Sequence, residues 1–360
     1  MRIYFFTVPH GPVPRSGYDH QLVALIEGLY GKPIEVSGKH KFFPLFDDNR
    51  SHLIEHEHFH YKESDVVVFS SEIFDSGYTD LLPEDLYSPN RKYKLLFLDN
   101  SDGFRTPGFR SEMRKVDIVL KSHYNSKQKY PSNFIPWQFG LTNRLIEYAD
   151  INKNNSRRDT LIESFRVIHG ARNLSVRHFL PLLDSCLAID QTKEEFDVCH
   201  LEMKDRVLWE ITGRRHYPSF YQRLGSSLAC AAFGGHLEPS WMFGNIELRS
   251  HLIRANDLLM RGKMCSQIWQ WDSFRFWESL ISGCATIHVD LDRYGAVLPI
   301  MPTNFQHYIG VDFDKPEKAA AITNDLPQIA EIAHNGQIWA RENYSPSAVA
   351  NRFLAILDSL

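Results

Sequence analysis

The apolar residues of the chain fall into short runs that predict a parallel sheet in its first half. Three of these runs, at residues 65–71, 93–99 and 116–122, read DVVVFSS, YKLLFLD and VDIVLKS. They are apolar almost throughout, without alternation, as expected of strands that are covered on both faces. Each ends in polar residues, and open α/β sheets bind their ligands beyond the carboxyl ends of such strands.

The chain begins with a pattern that predicts a strand, a loop and a helix. Residues 2–8 read RIYFFTV, and the glycine- and proline-rich loop that follows leads into an amphipathic segment at residues 21–30. This order is a common start of an α/β domain. Residues 33–36 could form one more short strand. Residues 39–61 have no clear period, so we expect a long loop with at most one helical turn.

A polar stretch near the middle of the chain predicts the boundary between two domains. It reads ADINKNNSRRD and occupies residues 149–159. We therefore expect a first domain at residues 1–150 and a second domain at residues 151–345. A last helix at about residues 346–360 could pack back on the first domain.

The second half has the pattern of another α/β domain. We expect a strand that ends at His169, a helix from about Ser175, and further strands at residues 227–235 and 307–313. The chain closes with two helices that are separated at Ser345–Pro346, because proline cannot continue a helix. The pattern as a whole predicts two α/β halves in tandem.

One stretch of the second half combines a helix, a strand and charged residues. Residues 271–290 read WDSFRFWESLISGCATIHVD, in which Asp272 or Ser273 would cap the helix. Arg275 and Glu278 are three residues apart and therefore share one helix face. They lie near the helix N-terminus, where unpaired amide groups favour an anion. The stretch is thus a candidate site for a nucleoside diphosphate and its ribose.

Composition and charge exclude several classes of protein. Hydrophobic residues make up 43% of the 360 residues, and the net charge of −4 provides no field for binding nucleic acid. The five cysteines are scattered without a C-x-x-C pair, which favours reduced thiols in the cytoplasm. No apolar run is long enough to span a membrane, and only peripheral association with one remains open. The motifs G-x-G-x-x-G, Walker A and G-x-S-x-G are missing, which disfavours hydride transfer and the P-loop and serine hydrolases.

Two segments together resemble a known family. Residues 217–235 read YPSFYQRLGSSLACAAFGG, and residues 272–290 follow with an S-x-R-x-x-E-x-L-x-x-G-C pattern and a strand. This combination resembles the C-terminal half of exostosin-like and related GT-B glycosyltransferases, over roughly the last 150 residues. The N-terminal half is similar to them only in the order of its elements.

The resemblance implies an α/β protein of the GT-B type, with two Rossmann-like domains that face each other across a cleft. It implies transfer of a sugar from a UDP- or GDP-sugar, held by the second domain, to a glycan or glycolipid acceptor lying against the first. It also implies inversion at the anomeric carbon. Apart from the nucleotide-sugar donor, we expect no cofactor and no metal.

Carried onto this chain, the resemblance implies a set of donor-binding residues. Glu278 would accept hydrogen bonds from the ribose hydroxyls, and Arg275 would lie near the diphosphate. A departing nucleoside diphosphate gains negative charge, which arginine, lysine and amide groups can stabilise in place of a metal. The other candidates are the first residue of the motif, two glycines that would let the backbone approach the donor, and further arginines: Ser273, Gly234, Gly235, Arg172, Arg214 and Arg215.

We expect the catalytic base in loops of the first domain that face the cleft. Our first candidate is Asp102, which follows a strand, and the others are Asp99 at the end of that strand and His10, Asp19 and His20 in or just after the loop that follows the first strand. An aspartate or a histidine there could take the proton of an acceptor hydroxyl during displacement at the anomeric carbon. Each of these side chains could instead cap a helix or stabilise a turn.

Several alternatives remain open. Arg275 and Glu278 could form an intrahelical ion pair on a solvated face. The cleft could belong to a binding protein that holds a nucleotide or a sugar without transferring it. The D-x-D triplets at residues 290–292 and 312–314 resemble the metal-binding motif of GT-A glycosyltransferases. We interpret the histidine-rich segment 52–60, in which residues 56–60 read HEHFH, as a solvated loop.

Overall fold

Two parallel sheets organise the chain. The structure, a computed structural model, describes residues 1–9, 18–46, 50–101, 111–153, 155–183, 186–192, 200–215, 217–239 and 265–360. Within these residues, each half of the chain contains one of the sheets.

The first sheet has six parallel strands in the order β2-β1-β5-β6-β7-β8. A separate antiparallel pair joins β3 to β4. The strands of this half are β1 (Arg2–Phe6), β2 (Glu35–Gly38), β3 (Phe42–Pro44), β4 (His52–Ile54), β5 (Val66–Ser70), β6 (Lys94–Asp99), β7 (Ile118–Lys121) and β8 (Phe134–Pro136).

The second sheet has five parallel strands in the order β10-β9-β11-β14-β15. An antiparallel pair, β12 with β13, follows the sheet at its carboxyl edge. The strands are β9 (Arg158–Ile162), β10 (Ala188–Asp190), β11 (Ser227–Ala231), β12 (His236–Pro239), β13 (Cys265–Trp269), β14 (Ala285–Val289) and β15 (Ile309–Val311).

Helices connect the strands and cover the sheets. Short 3-10 turns occur at Tyr61–Glu63, Thr79–Leu81, Glu84–Tyr87, Ser111–Lys115 and Leu180–Leu182, and a π-turn at Ser175–Phe179. The α-helices are α1 (His20–Leu29), α2 (Glu72–Asp75), α3 (Asn143–Asn152), α4 (Gly170–Leu174), α5 (Met203–Ile211), α6 (Pro218–Ser226), α7 (Phe274–Ile281), α8 (Pro316–Thr323), α9 (Leu326–Tyr344) and α10 (Pro346–Asp358).

The last helix, α10, packs against α1 in the first half. Phe353 and Val349 are buried in the same apolar cluster as Leu22 and Leu25 of α1. The two helices approach closely at Gly28, where an added Cβ would lie 1.8 Å from the Pro346 carbonyl oxygen. Only glycine leaves room for this contact, so a small residue on α1 allows the chain end to close over the first sheet.

Most of the predicted elements are confirmed, and two are wrong. The three apolar runs form β5, β6 and β7, and Ser345–Pro346 separates α9 from α10. Residues 39–61, which we expected to form a loop, contain β3 and β4. These strands are short and pair with each other, so they have no local periodicity that the sequence could reveal. The strand expected to end at His169 lies earlier, at β9. The sequence did not indicate this position because the first residues of β9, Arg158 and Asp159, are charged and exposed. This strand begins inside the stretch that we expected to be a polar linker.

The two halves are joined by buried hydrogen bonds across the cleft. The Asn125 side-chain amide, which follows β7, donates to the carbonyl oxygens of Ile268 and Tyr294, each at 2.9 Å. On the other side, the Asp272 carboxylate accepts the Phe139 backbone N–H at 2.8 Å. These bonds hold the carboxyl edges of the two sheets facing each other.

Candidate functional site

A cavity of about 700 Å³ opens at the carboxyl edge of the second sheet. It lies beyond the ends of β9 and β10 and beside the first turns of α6 and α7, which is where open α/β sheets bind ligands. Its volume is typical of sites for small molecules. Its lining residues are Glu163, Ser164, Phe165, Arg166, Arg172, Gln191, Thr192, Arg214, Arg215, Tyr217, Phe220, Ser273, Phe274, Arg275 and Glu278.

The first turn of α7 forms one wall of the cavity. Ser273 is the N-cap, and its hydroxyl oxygen accepts the Phe276 backbone N–H at 3.4 Å. Trp277 and Leu280 are buried in the core of the second half. Because the apolar residues of this amphipathic helix face the core, Ser273 and the charged residues of the opposite face line the cavity.

Glu278 is a buried carboxylate at the cavity wall. Glu278 is only 5% exposed, and its Oε1 accepts a hydrogen bond from the Tyr221 hydroxyl at 2.9 Å. The contacts of the described residues include no ion pair between Glu278 and Arg275. The intrahelical ion pair considered above is therefore not formed, although the two residues are on the same helix.

Arg275 carries buried N–H groups that have no acceptor among the described residues. Its guanidinium carbon lies 5.0 Å from the centre of the Phe220 ring, so the ring supports the charged group from behind. The Nε and Nη1 atoms are buried, and within the described part of the chain neither has a hydrogen-bond partner. A buried donor without an acceptor costs free energy, which an anionic ligand in the cavity would recover.

Arg172 adds a second positive charge to the same wall. Its Nε donates to the Phe233 carbonyl oxygen at 2.7 Å, and its Nη1 donates to the Arg166 carbonyl oxygen at 3.2 Å. Burial and then the neighbouring charges of Arg275 and Arg166 lower the pKa of Arg172 to about 10. The arginines are thus close enough to repel one another, and the cavity is positively charged.

Arg214 and Arg215 extend the positive wall. Their guanidinium carbons lie 5.5 Å and 5.0 Å from the ring centres of Trp209 and Phe274. Arg215 also donates to the Thr212 carbonyl oxygen at 3.1 Å. Aromatic rings therefore hold several of the cavity arginines in place, as they do for Arg275.

Gly234 and Gly235 lie next to the cavity and are not among its lining residues. Gly235 has a φ of +87°, and an added Cβ would lie 2.2 Å from the Trp269 carbonyl oxygen. At Gly234 the same atom would lie 3.2 Å from the Trp271 carbonyl oxygen. We expected these glycines to let the backbone approach the donor. In this structure they instead let two backbone segments of the protein approach each other.

A pair of histidines fixes the loops that carry the glycines. The Gly235 N–H donates to His169 Nδ1 at 3.0 Å, and the Gly170 N–H donates to His236 Nδ1 at 3.3 Å. An Nδ1 that accepts a hydrogen bond cannot carry a proton, so His169 must be protonated on Nε2 when neutral. Burial and then the charge of Arg172 lower the pKa of His169 to about 3, which keeps it neutral.

Asp19 and His20 of the first half are engaged in contacts that build α1. Asp19 caps the helix by accepting the Leu22 N–H at 3.1 Å, and it also accepts the Ser70 hydroxyl. Burial raises the pKa of Asp19 to about 6. His20 Nδ1 lies 3.2 Å from the Tyr18 hydroxyl, and its Nε2 lies 2.9 Å from the Gly140 carbonyl oxygen. Both side chains are buried.

The other residues considered for the base have different outcomes. Asp102 and His10 lie outside the described residues. Asp99 is fully buried, with its Oδ2 lying 3.1 Å from Lys121 Nζ at the carboxyl edge of the first sheet.

The D-x-D triplets stabilise turns and ion pairs in the second half. Asp290 accepts the Arg293 N–H at 3.0 Å and the Asn304 amide at 3.0 Å. Asp314 pairs with the Arg293 guanidinium at 2.8 Å, and the same side chain lies 3.7 Å from Asp312. Across the described ranges, no group of three or more histidine, cysteine, aspartate or glutamate side chains is arranged to hold a metal ion.

Three comparisons relate this architecture to known proteins. No family model matches the chain, and no curated protein matches it. Among solved structures, AviGT4, described as a glycosyltransferase involved in avilamycin A biosynthesis, aligns over 98% of this chain and 96% of its own, with a TM-score of 0.51 and 12% identity. The chain has the GT-B fold.

The GT-B assignment rests on the alignment with AviGT4 together with the two facing sheets. HepE of Anabaena, in complex with UDP, aligns over 100% of both chains with a TM-score of 0.49 and 12% identity. Sucrose-phosphate synthase of Thermosynechococcus elongatus covers 99% of this chain and 98% of its own, with a TM-score of 0.49 and 12% identity. The predicted GT-B fold is confirmed, and the alternative of a GT-A fold is wrong.

The part of the chain that the structure describes contains no helix long and apolar enough to cross a membrane.

Sequence reasoning missed several residues of the cavity. Phe220 supports Arg275, Tyr217 lies at the start of α6, and Glu163 and Gln191 follow β9 and β10. Had β9 been placed at its true position, the polar residues directly after it would have been candidates by the same rule that we applied to the first half.

Proposed function

We propose that the protein is a GT-B glycosyltransferase that moves a sugar from a nucleoside diphosphate donor to an acceptor hydroxyl. The observation that carries the proposal is the Arg275 guanidinium, whose buried Nε and Nη1 find no acceptor among the described residues while Arg172 adds charge beside it. A diphosphate satisfies these donors and neutralises both charges. The buried N–H groups of a structural arginine would have acceptors in the protein, as those of Arg157 have in the carbonyl oxygens of Ser227 and Ser282.

The donor is bound by one side of the cleft in this proposal. The diphosphate oxygens accept hydrogen bonds from Arg275 and Arg172, near the N-terminus of α7. The ribose hydroxyls donate to the Glu278 carboxylate, which Tyr221 holds in place. Arg214 and Arg215 also line the cavity and add further positive charge.

The same residues assist the reaction. The bond between the anomeric carbon and the diphosphate oxygen breaks, and a bond to the acceptor oxygen forms. The negative charge that develops on the leaving diphosphate is stabilised by the arginines, which are already oriented by Phe220 and Phe274. The acceptor proton passes to a base of the first half, for which Asp102 and His10 stay our candidates.

Some finer points of the proposal rest on the sequence resemblance alone. They are membership of the exostosin-like group, inversion at the anomeric carbon, independence from a metal, and a glycan or glycolipid as acceptor. A cytoplasmic location is also proposed, because Cys186, Cys230, Cys265 and Cys284 are free thiols.

Release of the nucleoside diphosphate tests the proposal. The full chain is incubated with a panel of UDP- and GDP-sugars, with and without candidate acceptors, and free UDP or GDP is measured. We expect release that depends on an acceptor and that survives excess EDTA. Glu278→Ala should abolish donor binding and release together.

A non-catalytic nucleotide-binding protein is the alternative. It requires the same cavity, and it needs no base across the cleft. Tight binding of UDP or GDP without turnover for any pair of donor and acceptor would support it. Unchanged affinity in Glu278→Ala would contradict the site itself.

A further inference from the structure

Besides Glu278, the cavity is lined by a second carboxylate, Glu163, which a diphosphate would repel. Glu163 follows β9 and lines the cavity together with five arginines: Arg166, Arg172, Arg214, Arg215 and Arg275. Despite these neighbours, no ion pair between Glu163 and an arginine or a lysine occurs among the described residues. Its place in a phosphate site therefore needs a different explanation from charge compensation.

The partner of Glu163 is a neutral amide. Gln191 follows β10, the neighbouring strand, and its Nε2 donates to Glu163 Oε2 at 2.7 Å. The Glu163 backbone N–H donates to the Asp190 carbonyl oxygen at 2.9 Å, which fixes the two strand ends side by side. Asp190 forms an ion pair with Arg223 at 3.1 Å. Of the two acidic residues at these strand ends, Asp190 therefore has a cationic partner and Glu163 has a neutral one.

We propose that Glu163 and Gln191 recognise the base of the donor and select guanine over uracil. This inference rests on the proposed function, which already places the diphosphate at the arginines and the ribose at Glu278. A ligand that extends from there to the ends of β9 and β10 presents its base to Glu163. A carboxylate at that place can accept hydrogen bonds from N–H donors of the ligand.

The hydrogen-bonding edges of the bases decide between them. Guanine offers two adjacent donors, N1–H and N2–H, which match the two oxygens of a carboxylate, and its O6 can accept the second N–H of Gln191. Uracil offers a single N3–H between two carbonyl oxygens, and these oxygens face the carboxylate unfavourably. Adenine and cytosine place an unprotonated ring nitrogen where guanine has N1–H.

Titration calorimetry of the full chain with GDP, UDP, ADP and CDP tests the inference. A bidentate contact to a base discriminates by about 5- to 150-fold, so GDP should bind at least about fivefold more tightly than UDP. Glu163→Gln should remove this preference, and it should strengthen the binding of UDP rather than weaken it, because the arginines remain while a carboxylate that repels the diphosphate is lost. The matched control is Glu147→Gln on α3, which removes an exposed carboxylate that is paired with Lys204 of α5. This variant should keep the preference.

A second measurement needs no variant. Inosine diphosphate lacks only the N2 amino group of guanine, so it should bind several-fold more weakly than GDP to the unmodified protein. Equal or tighter binding of UDP than of GDP, or an unchanged preference in Glu163→Gln, would overturn the base assignment and leave the glycosyltransferase proposal standing. Absence of binding for all four nucleotides would overturn both.

Discussion

Replacement of Arg275 by methionine should change stability and ligand binding in opposite directions. Methionine keeps an apolar stem against the Phe220 ring and removes the guanidinium, whose Nε and Nη1 are buried without an acceptor in the described structure. We therefore expect Arg275→Met to unfold at a higher urea concentration than the unmodified protein when no ligand is present. The same variant should bind UDP and GDP much more weakly.

The magnitudes follow from the contacts. An unsatisfied buried polar group costs about 1–3 kcal/mol, and removal of this cost should stabilise the free protein. The guanidinium loses a contact with Phe220 worth about 0.5–1 kcal/mol, and the methionine sulfur replaces it with a similar amount. The net gain should be about 1–2 kcal/mol. Loss of charge-assisted hydrogen bonds worth about 1.5–3 kcal/mol should raise the Kd for the nucleoside diphosphate by about 10- to 150-fold.

Urea denaturation and titration calorimetry measure the two effects on the same preparation. Arg206→Met is the matched control, because Arg206 is 59% exposed and forms only a loose ion pair with Glu210 at 3.7 Å. It should alter neither quantity by more than a few tenths of a kcal/mol. A less stable Arg275→Met protein with undiminished affinity would refute the reasoning, since it would make Arg275 a structural residue.

Four further outcomes are expected. Glu278→Gln should reduce the preference for ribose over 2′-deoxyribose diphosphates in calorimetry, because the carboxylate accepts the ribose hydroxyls in our proposal; an unchanged preference would contradict that role. Asp19→Ala should lower the free energy of unfolding by about 1 kcal/mol or more through loss of the helix cap, with no change in donor Kd. Gly235→Ala should lower the melting temperature far more than Gly31→Ala, since both glycines have positive φ but only Gly235 meets a backbone oxygen. Burial raises the pKa of Asp272 to about 7, so the folded protein holds a proton that the unfolded chain releases near pH 4. The free energy of unfolding should therefore fall as the pH rises from about 4 to 7, and Asp272→Asn should flatten this slope.

Much of the donor side could be predicted because its signals are local. The helix of residues 274–281 has a capping serine at its start, a glycine after its end and one apolar face. These features also determine which side chains face outward, and six of the eight donor-binding candidates line the cavity. The two glycines next to it have a contact that only the folded chain reveals, since Trp269 lies far away in the sequence.

The first half was harder to interpret because its polar residues are fixed by distant partners. Asp19 occupies a loop end, and its bond to Ser70 depends on the pairing of β1 with β5. His20 contacts the Gly140 carbonyl oxygen, which is 120 positions away. No local pattern distinguishes an aspartate or histidine that makes such contacts from a catalytic one. The sequence therefore identified the loops where a base is needed without identifying the base.

The bonds that Asn125 makes across the cleft have a consequence for the timing of the reaction. The two bonds share one amide group, so a small rotation of one half against the other breaks both together. A form with the halves rotated apart would have to hydrate two carbonyl oxygens and an amide, so these bonds favour the form described here. If the glycosyltransferase that we propose separates its halves to release the nucleotide, Asn125→Ala should increase the rate of nucleotide dissociation more than it lowers the free energy of unfolding.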